Sequence, residues 1–162
     1  MDPDLLVFFN PYLATGLILV LLMCSALISA SEVAFFSLKP SDLEDLEGDD
    51  RLSSVNVLSL LRNPNPSEGP RHLLATILVL NNLINVAIVL IATVTAQQLF
   101  PVASLPPWLG IVIHIAGVTL LLVLFGEVIP KLFATAHNVR VARFTAGLLL
   151  VCQKLLFPFW KP

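Results

Sequence analysis

Charge is what this chain has least of: only 12% of its 162 residues are Asp, Glu, Lys or Arg, while 57% are hydrophobic. Soluble domains carry roughly a quarter charged residues. A chain this poor in charge cannot hide its apolar surface inside one water-soluble domain, so lipid must act as its solvent. The net charge of −2 and the scatter of the nine basic residues exclude the concentrated basic patch that nucleic-acid binding needs. There are only two cysteines, Cys24 in an apolar run and Cys152 near the far end. They give neither a disulfide framework nor a thiolate metal set, and read as small membrane-buried side chains. The opening Met1-Asp2-Pro3-Asp4 lacks the basic start of a secretory signal, so the first apolar run is expected to be retained.

What is present in abundance is long apolar runs. A spanning helix needs about 20 mostly apolar residues, and three runs qualify, at about 13–36, 73–95 and 108–131. A fourth stretch, Phe144 to Phe159, is shorter and carries Gln153 and Lys154, so it reads as an interfacial or re-entrant helix. The fold class expected is an all-α integral membrane protein of three transmembrane helices with juxtamembrane helices. All nine basic residues fall on one side of these spans: Lys39, Arg51, Arg62 and Arg71 after the first, Lys131, Arg140, Arg143, Lys154 and Lys161 after the third. Because Lys and Arg stay cytoplasmic, the N-terminus is expected outside and the C-terminus inside. Pro101, Pro106, Pro107 and Trp108 suit a short outer turn with an aromatic at headgroup level.

Between the first two spans, Ser41 and Glu44 have capping-box spacing and Gly48 suits a helix stop, which predicts a short helix over 42–47. A second helix is predicted over 52–61, ending before Asn63-Pro64-Asn65-Pro66. The acidic cluster from Asp42 to Asp50 reads as a solvated helix face.

Polar groups at membrane depth cost several kcal/mol when unpaired, so they normally face a bundle interior or an ion path. The first span offers Ser25, Ser29, Ser31 and Glu32, and Ser25, Ser29 and Glu32 share a helix face. The second offers Asn81 and Asn85, one turn apart, with Asn82 pointing about 100° away. The third ends in Gly126-Glu127-Val128-Ile129-Pro130-Lys131. Pro130 has no N–H, so the Gly126 carbonyl loses its helical partner and could ligate a cation, with Glu127 beside it supplying negative charge. Serines in spans also bond back to their own helix and asparagines also join helices, so each signal taken singly has a structural reading. Taken together, oxygen donors from three spans with no sulfur or histidine beside them point to a hard cation such as Mg²⁺, Ca²⁺ or Na⁺. His114 reads as a helix-contact or pore-rim residue, and His72 and His137 as interfacial.

The segments Ser29-Ala30-Ser31-Glu32-Val33-Ala34, Asn81-Asn82-Leu83-Ile84-Asn85 and Gly126-Glu127-Val128-Ile129-Pro130-Lys131 resemble, in order and spacing, the three motifs of the transmembrane domain shared by CorC/CorB and cyclin M (CNNM) proteins. The resemblance implies a homodimeric Mg²⁺ transporter of the plasma membrane, the inner membrane in a bacterium, exporting Mg²⁺ in exchange for Na⁺. It implies a juxtamembrane belt over about 41–62 and 138–160, and a metal site of Ser29, Asn81, Asn85, Gly126 and Glu127, with Ser25, Ser31 and Glu32 in second rank. Ala30 departs from a frequent glycine. Family members usually continue into CBS domains that bind ATP; this chain ends at Pro162, so ATP is carried over to none of its residues. The expectation is therefore of no enzyme. The alternative is a non-transporting membrane regulator or scaffold in which the same polar residues only lock helices together. A third class, an intramembrane hydrolase, would need His114 close to a nucleophile and to Glu127, which the spacing opposes.

Overall fold

The computed structural model describes residues 10–62, 68–99 and 106–156, and every element among them is a helix. Helix α1 spans Pro11–Phe36, α2 Pro40–Glu47, α3 Leu52–Arg62 and α4 Gly69–Leu99. Helix α5 covers Pro107–Leu121 and runs through a π-helical segment, Leu122–Val128, into α6, Ile129–Ala136. Helix α7, Asn138–Leu156, follows.

Three of these elements are long and apolar enough to cross a bilayer: Pro11–Phe36, Gly69–Ala96 and the continuous Trp108–Ala136. Their outward faces carry large apolar side chains in the open, such as Leu13, Leu83, Leu120 and Leu132, each about two-thirds exposed or more. In water such faces would drive aggregation; in hydrocarbon they are solvated. The chain is thus a multi-pass helical membrane protein. The second span, α4, starts ahead of its apolar run because Gly69-Pro70 opens it, and proline's fixed φ suits a first turn.

The segment after α1 is capped differently from the Ser41/Glu44 pattern. Pro40 occupies the first turn, so the helix begins at Pro40 and its N-cap is Lys39, whose backbone N–H donates to Asp42 Oδ2 at 2.8 Å. A proline pre-set for the helical φ moves the start upstream of the serine. Gly48 does close α2, with φ −78°, so the stop needs no left-handed residue. Helix α3 runs to Arg62, and the Asn63-Pro64-Asn65-Pro66 stop lies outside the described residues, as do Pro101 and Lys161.

The buried core lies at one end of the bundle. Leu46 of α2, Val57 and Leu60 of α3, Leu73 and Ile77 of α4, and Ala142, Ala146 and Leu149 of α7 are fully or almost fully enclosed and pack with Ile28, Ala34 and Phe35 of α1. Helices α2, α3 and α7 therefore form a collar that grips the ends of α1 and α4 nearest it. Helix α1 is the hub, touching α4, the π segment, α6 and α7.

Two polar ties close the collar. Asn138 Nδ2 donates to the Ser37 carbonyl at 3.1 Å, fixing the start of α7 to the end of α1. Asp49 accepts from the Arg51 backbone N–H at 3.2 Å, the Ser54 hydroxyl at 3.1 Å and Arg143 Nη2 at 2.7 Å, joining the α2–α3 turn to α7. Desolvation pushes the Asp49 carboxyl up, but these hydrogen bonds and the Arg51 and Arg143 charges outweigh it and hold it below the ordinary 3.8. A depressed folded value means the stabilisation is complete above pH 3.8 and is lost as pH falls through the folded value. In thermal melts, Asp49→Asn is expected to be less stable than the native chain near neutrality, and the gap should close in acid. A gap independent of pH would show that the charge of Asp49 contributes nothing.

The collar also constrains one glycine. A Cβ on Gly69 would lie 2.5 Å from the Leu61 carbonyl oxygen and 2.7 Å from its carbon, both backbone atoms that cannot rotate away. Gly69→Ala should push α3 from α4 and cost about 1–3 kcal/mol, the usual range for overpacking. A thermal midpoint within 1 °C of the native value, about 0.25–0.5 kcal/mol for a domain of this size, would refute the close approach.

Candidate functional site

The three spans meet where their polar residues lie. On α1, Ser25 is fully buried, and its hydroxyl donates to Asn85 Oδ1 of α4 at 2.7 Å, with Asn81 Oδ1 at 3.5 Å. Asn85 Nδ2 in turn donates to Glu127 Oε1 of the π segment at 2.8 Å. The amide orientation follows from its neighbours: the carboxylate takes only donors, so Nδ2 faces Glu127 and Oδ1 faces the serine. Gly126 packs against the same serine, since a Cβ there would stand 3.2 Å from Ser25 Oγ and 3.4 Å from Leu22 Cδ1. Ser25, Asn81, Asn85, Gly126 and Glu127 thus form one cluster drawn from three helices.

The backbone of the third span is rearranged at this point. Through the π segment the hydrogen-bond register shifts from four residues back to five, as the Ile129 N–H bonds the Leu124 carbonyl. The next residue, Pro130, has no N–H, so position 130 offers a donor neither to Phe125, five residues back, nor to Gly126, four back. Single-turn π segments of this kind are frequent at functional sites.

The other residues singled out in the sequence are placed as follows. Ser29, one turn along α1 from Ser25, is fully buried and its hydroxyl has no hydrogen-bond partner among the described residues. A serine in a helix ordinarily bonds back to its own carbonyls; Ser29 leaves both lone pairs uncommitted inside the protein. Ser31 behaves in the ordinary way, donating to the Ile28 carbonyl at 2.6 Å, and so stands apart from the cluster. Glu32 pairs with Lys131 of α6 at 2.9 Å, both side chains about a third exposed. Asn82 is exposed and lines a shallow pocket with Asn85, Thr119 and Leu122. The His114 Nδ1 is buried without a hydrogen-bond partner among the described residues.

Sequence reasoning ranked Ser25 below Ser29, yet Ser25 touches the other two spans. Both lie on one face of α1, and only the depth at which α4 crosses it separates them. The pairing of Lys131 with Glu32 was also unread, although Lys131 lies four residues beyond Glu127. Among the described residues no three His, Cys, Asp or Glu side chains come together as a metal set. The donors gathered here are instead neutral oxygens with one carboxylate, a set suited to a hard cation and poor for zinc or copper.

Fold and cluster together define a class: a three-span helical membrane domain with an oxygen-rich polar centre. Residues 16–162 match the family model described as the cyclin M transmembrane N-terminal domain, and the chain belongs to that family. It is 30% identical over 88% of its length to a UPF0053 protein of Haemophilus influenzae, covering 31% of that protein. It is 28% identical over 83% of its length to the UPF0053 inner membrane protein YfjD of Escherichia coli, covering 28% of it. A DUF21 domain-containing protein of Arabidopsis thaliana, At1g47330, is 27% identical over 90% of the chain and covered to 25%. The chain therefore spans about a third or less of the length of these relatives. Its family is one of membrane domains with a transporter-related role rather than a known enzyme class.

Proposed function

We propose that this chain is the membrane-embedded domain of a Mg²⁺ transporter, a homodimer that exports Mg²⁺ coupled to Na⁺ entry. The observation that carries this reading is the convergence of Ser25, Asn81, Asn85, Gly126 and Glu127 between three spans, with the unpartnered Ser29 hydroxyl one turn away. Burying so many polar groups in hydrocarbon costs several kcal/mol each unless they pair or meet a ligand. The oxygens of Ser29, Asn81, Asn85 and Gly126 replace part of the ion's water shell, while Glu127 supplies charge and orients Asn85. Mg²⁺ sheds water reluctantly, and a site with one carboxylate binds it modestly, which suits a carrier that must release its cargo.

In this reading the N-terminus lies outside, and the collar of α2, α3 and α7 lies at the cytoplasmic surface, where the basic residues gather. Coupling to Na⁺ and the homodimer rest on the family resemblance. ATP would act through CBS domains outside this chain. The test is Mg²⁺ flux in liposomes with and without an imposed Na⁺ gradient. Flux driven by the gradient supports the exchanger; equal flux for the intact chain and Asn85→Ala removes the site. The scaffold reading predicts that Asn81→Ala leaves assembly intact and flux without meaning, whereas a carrier loses flux and stays folded.

A further inference from the structure

A second feature lies on the opposite flank of α1. Helices α1, α6 and α7 line an open cavity of about 550 Å³, within the range of small-molecule sites. Its walls include Ala26 and Ala30 of α1, Pro130 and Phe133 of α6, and Phe144 of α7, all apolar, and Arg140 is the one charged lining residue among the described residues. The two alanines stand one turn apart and leave room where larger side chains would close the gap. Phe133 is braced by stacking on His137, with ring centroids 4.7 Å apart.

The charge at this cavity is uncommitted. Lys131 is taken by Glu32 and Arg143 by Asp49, but Arg140 forms no ion pair among the described residues and is exposed. An apolar slot beside an available guanidinium is complementary to an amphiphile with an anionic head. In a membrane domain the abundant molecule of that chemistry is an anionic phospholipid, and basic pockets between spanning helices recognise such head groups. Guanidinium matches phosphate with two parallel hydrogen bonds, which an ammonium cannot supply in the same geometry.

We infer that the cavity between α1, α6 and α7 is a binding site for an anionic phospholipid, with an acyl chain against Ala26, Ala30 and Phe144 and the phosphate on Arg140. The inference stands apart from ion transport, because the cavity takes Ile129, Pro130 and Phe133 from the third span and none of the residues of the Ser25 cluster. A lipid here would press on that span just beyond its π segment, on a different face of α1 from Ser25.

The test is native mass spectrometry of the chain in neutral detergent, titrated with phosphatidylglycerol or with phosphatidylcholine of the same acyl chains. The native chain should retain phosphatidylglycerol about five-fold more strongly, the scale expected of one cation near a membrane surface. Arg140→Gln should erase that preference while leaving phosphatidylcholine binding unchanged, and Ala26→Leu should reduce retention of both lipids. Helical content by circular dichroism controls for folding. Equal retention of the two lipids by the native chain, or a preference that survives Arg140→Gln, would overturn the site. So would a change in oligomeric state on Ala26→Leu without any change in lipid retention, which would assign the cavity to a second copy of the chain.

Discussion

Asn85→Ala is expected to lower Mg²⁺ flux in liposomes by about 10- to 100-fold, the scale of losing a metal-site residue or its orienting partner. Two bonds disappear at once. The Ser25 hydroxyl loses the acceptor it reaches at 2.7 Å, and Glu127 loses the amide donor at 2.8 Å. The carboxylate is then left half-buried between helices without its donor, so the damage falls on both the ligand set and the charge that serves it. Asn81→Ala should cost less stability, because its contact with Ser25 is at 3.5 Å and the Ser25–Asn85–Glu127 chain remains whole. Comparing the two variants separates ligation from helix locking. Flux lost in both, with melting lowered mainly for Asn85→Ala, supports an ion site. Melting lowered in both with unchanged flux supports the structural role alone.

Pro130→Ala tests the missing backbone donor from the opposite direction. The substitution returns an N–H to position 130, where it can reach the Gly126 or Phe125 carbonyl and supply the donor that proline leaves out of the ladder after the Ile129–Leu124 bond. Proline inside a helix costs about 3 kcal/mol relative to alanine. The variant is therefore expected to melt higher than the native chain while its Mg²⁺ flux falls about ten-fold, the carbonyl being claimed by its own helix. Stability and transport should move in opposite directions, as they do where a fold keeps strain for function. A higher melting point with unchanged flux would show that the freed carbonyl takes no part in transport.

Much of the architecture was legible because lipid imposes simple rules. A run of about 20 apolar residues must be a helix in a bilayer, since no water is present to satisfy its backbone, and the three spans follow from counting. The covalent deficit of Pro130 was equally readable, for a missing N–H is missing in every conformation. The start of α2 was less so: Ser41 and Glu44 have the right spacing, but Pro40 and Asp42 took the positions that mattered. Two overlapping caps differ by an amount that local propensity does not resolve. The π register was also unreadable, because adding one residue to a helical turn is a small cost repaid by what the shifted side chains then touch.

The amino-acid order by itself determined that this is a three-span membrane protein, that oxygen-bearing residues sit within each span, and that the third helix lacks a backbone donor at position 130. The tertiary structure decided which of those oxygens meet. Ser25, Ser29 and Glu32 share one face of α1, yet Ser25 joins Asn81 and Asn85, Ser29 stays unpartnered and Glu32 turns to Lys131. Helical periodicity specifies direction around an axis, whereas the depth at which two helices cross depends on the whole collar of α2, α3 and α7 that grips their ends, and that is a sum of contacts far apart in the chain.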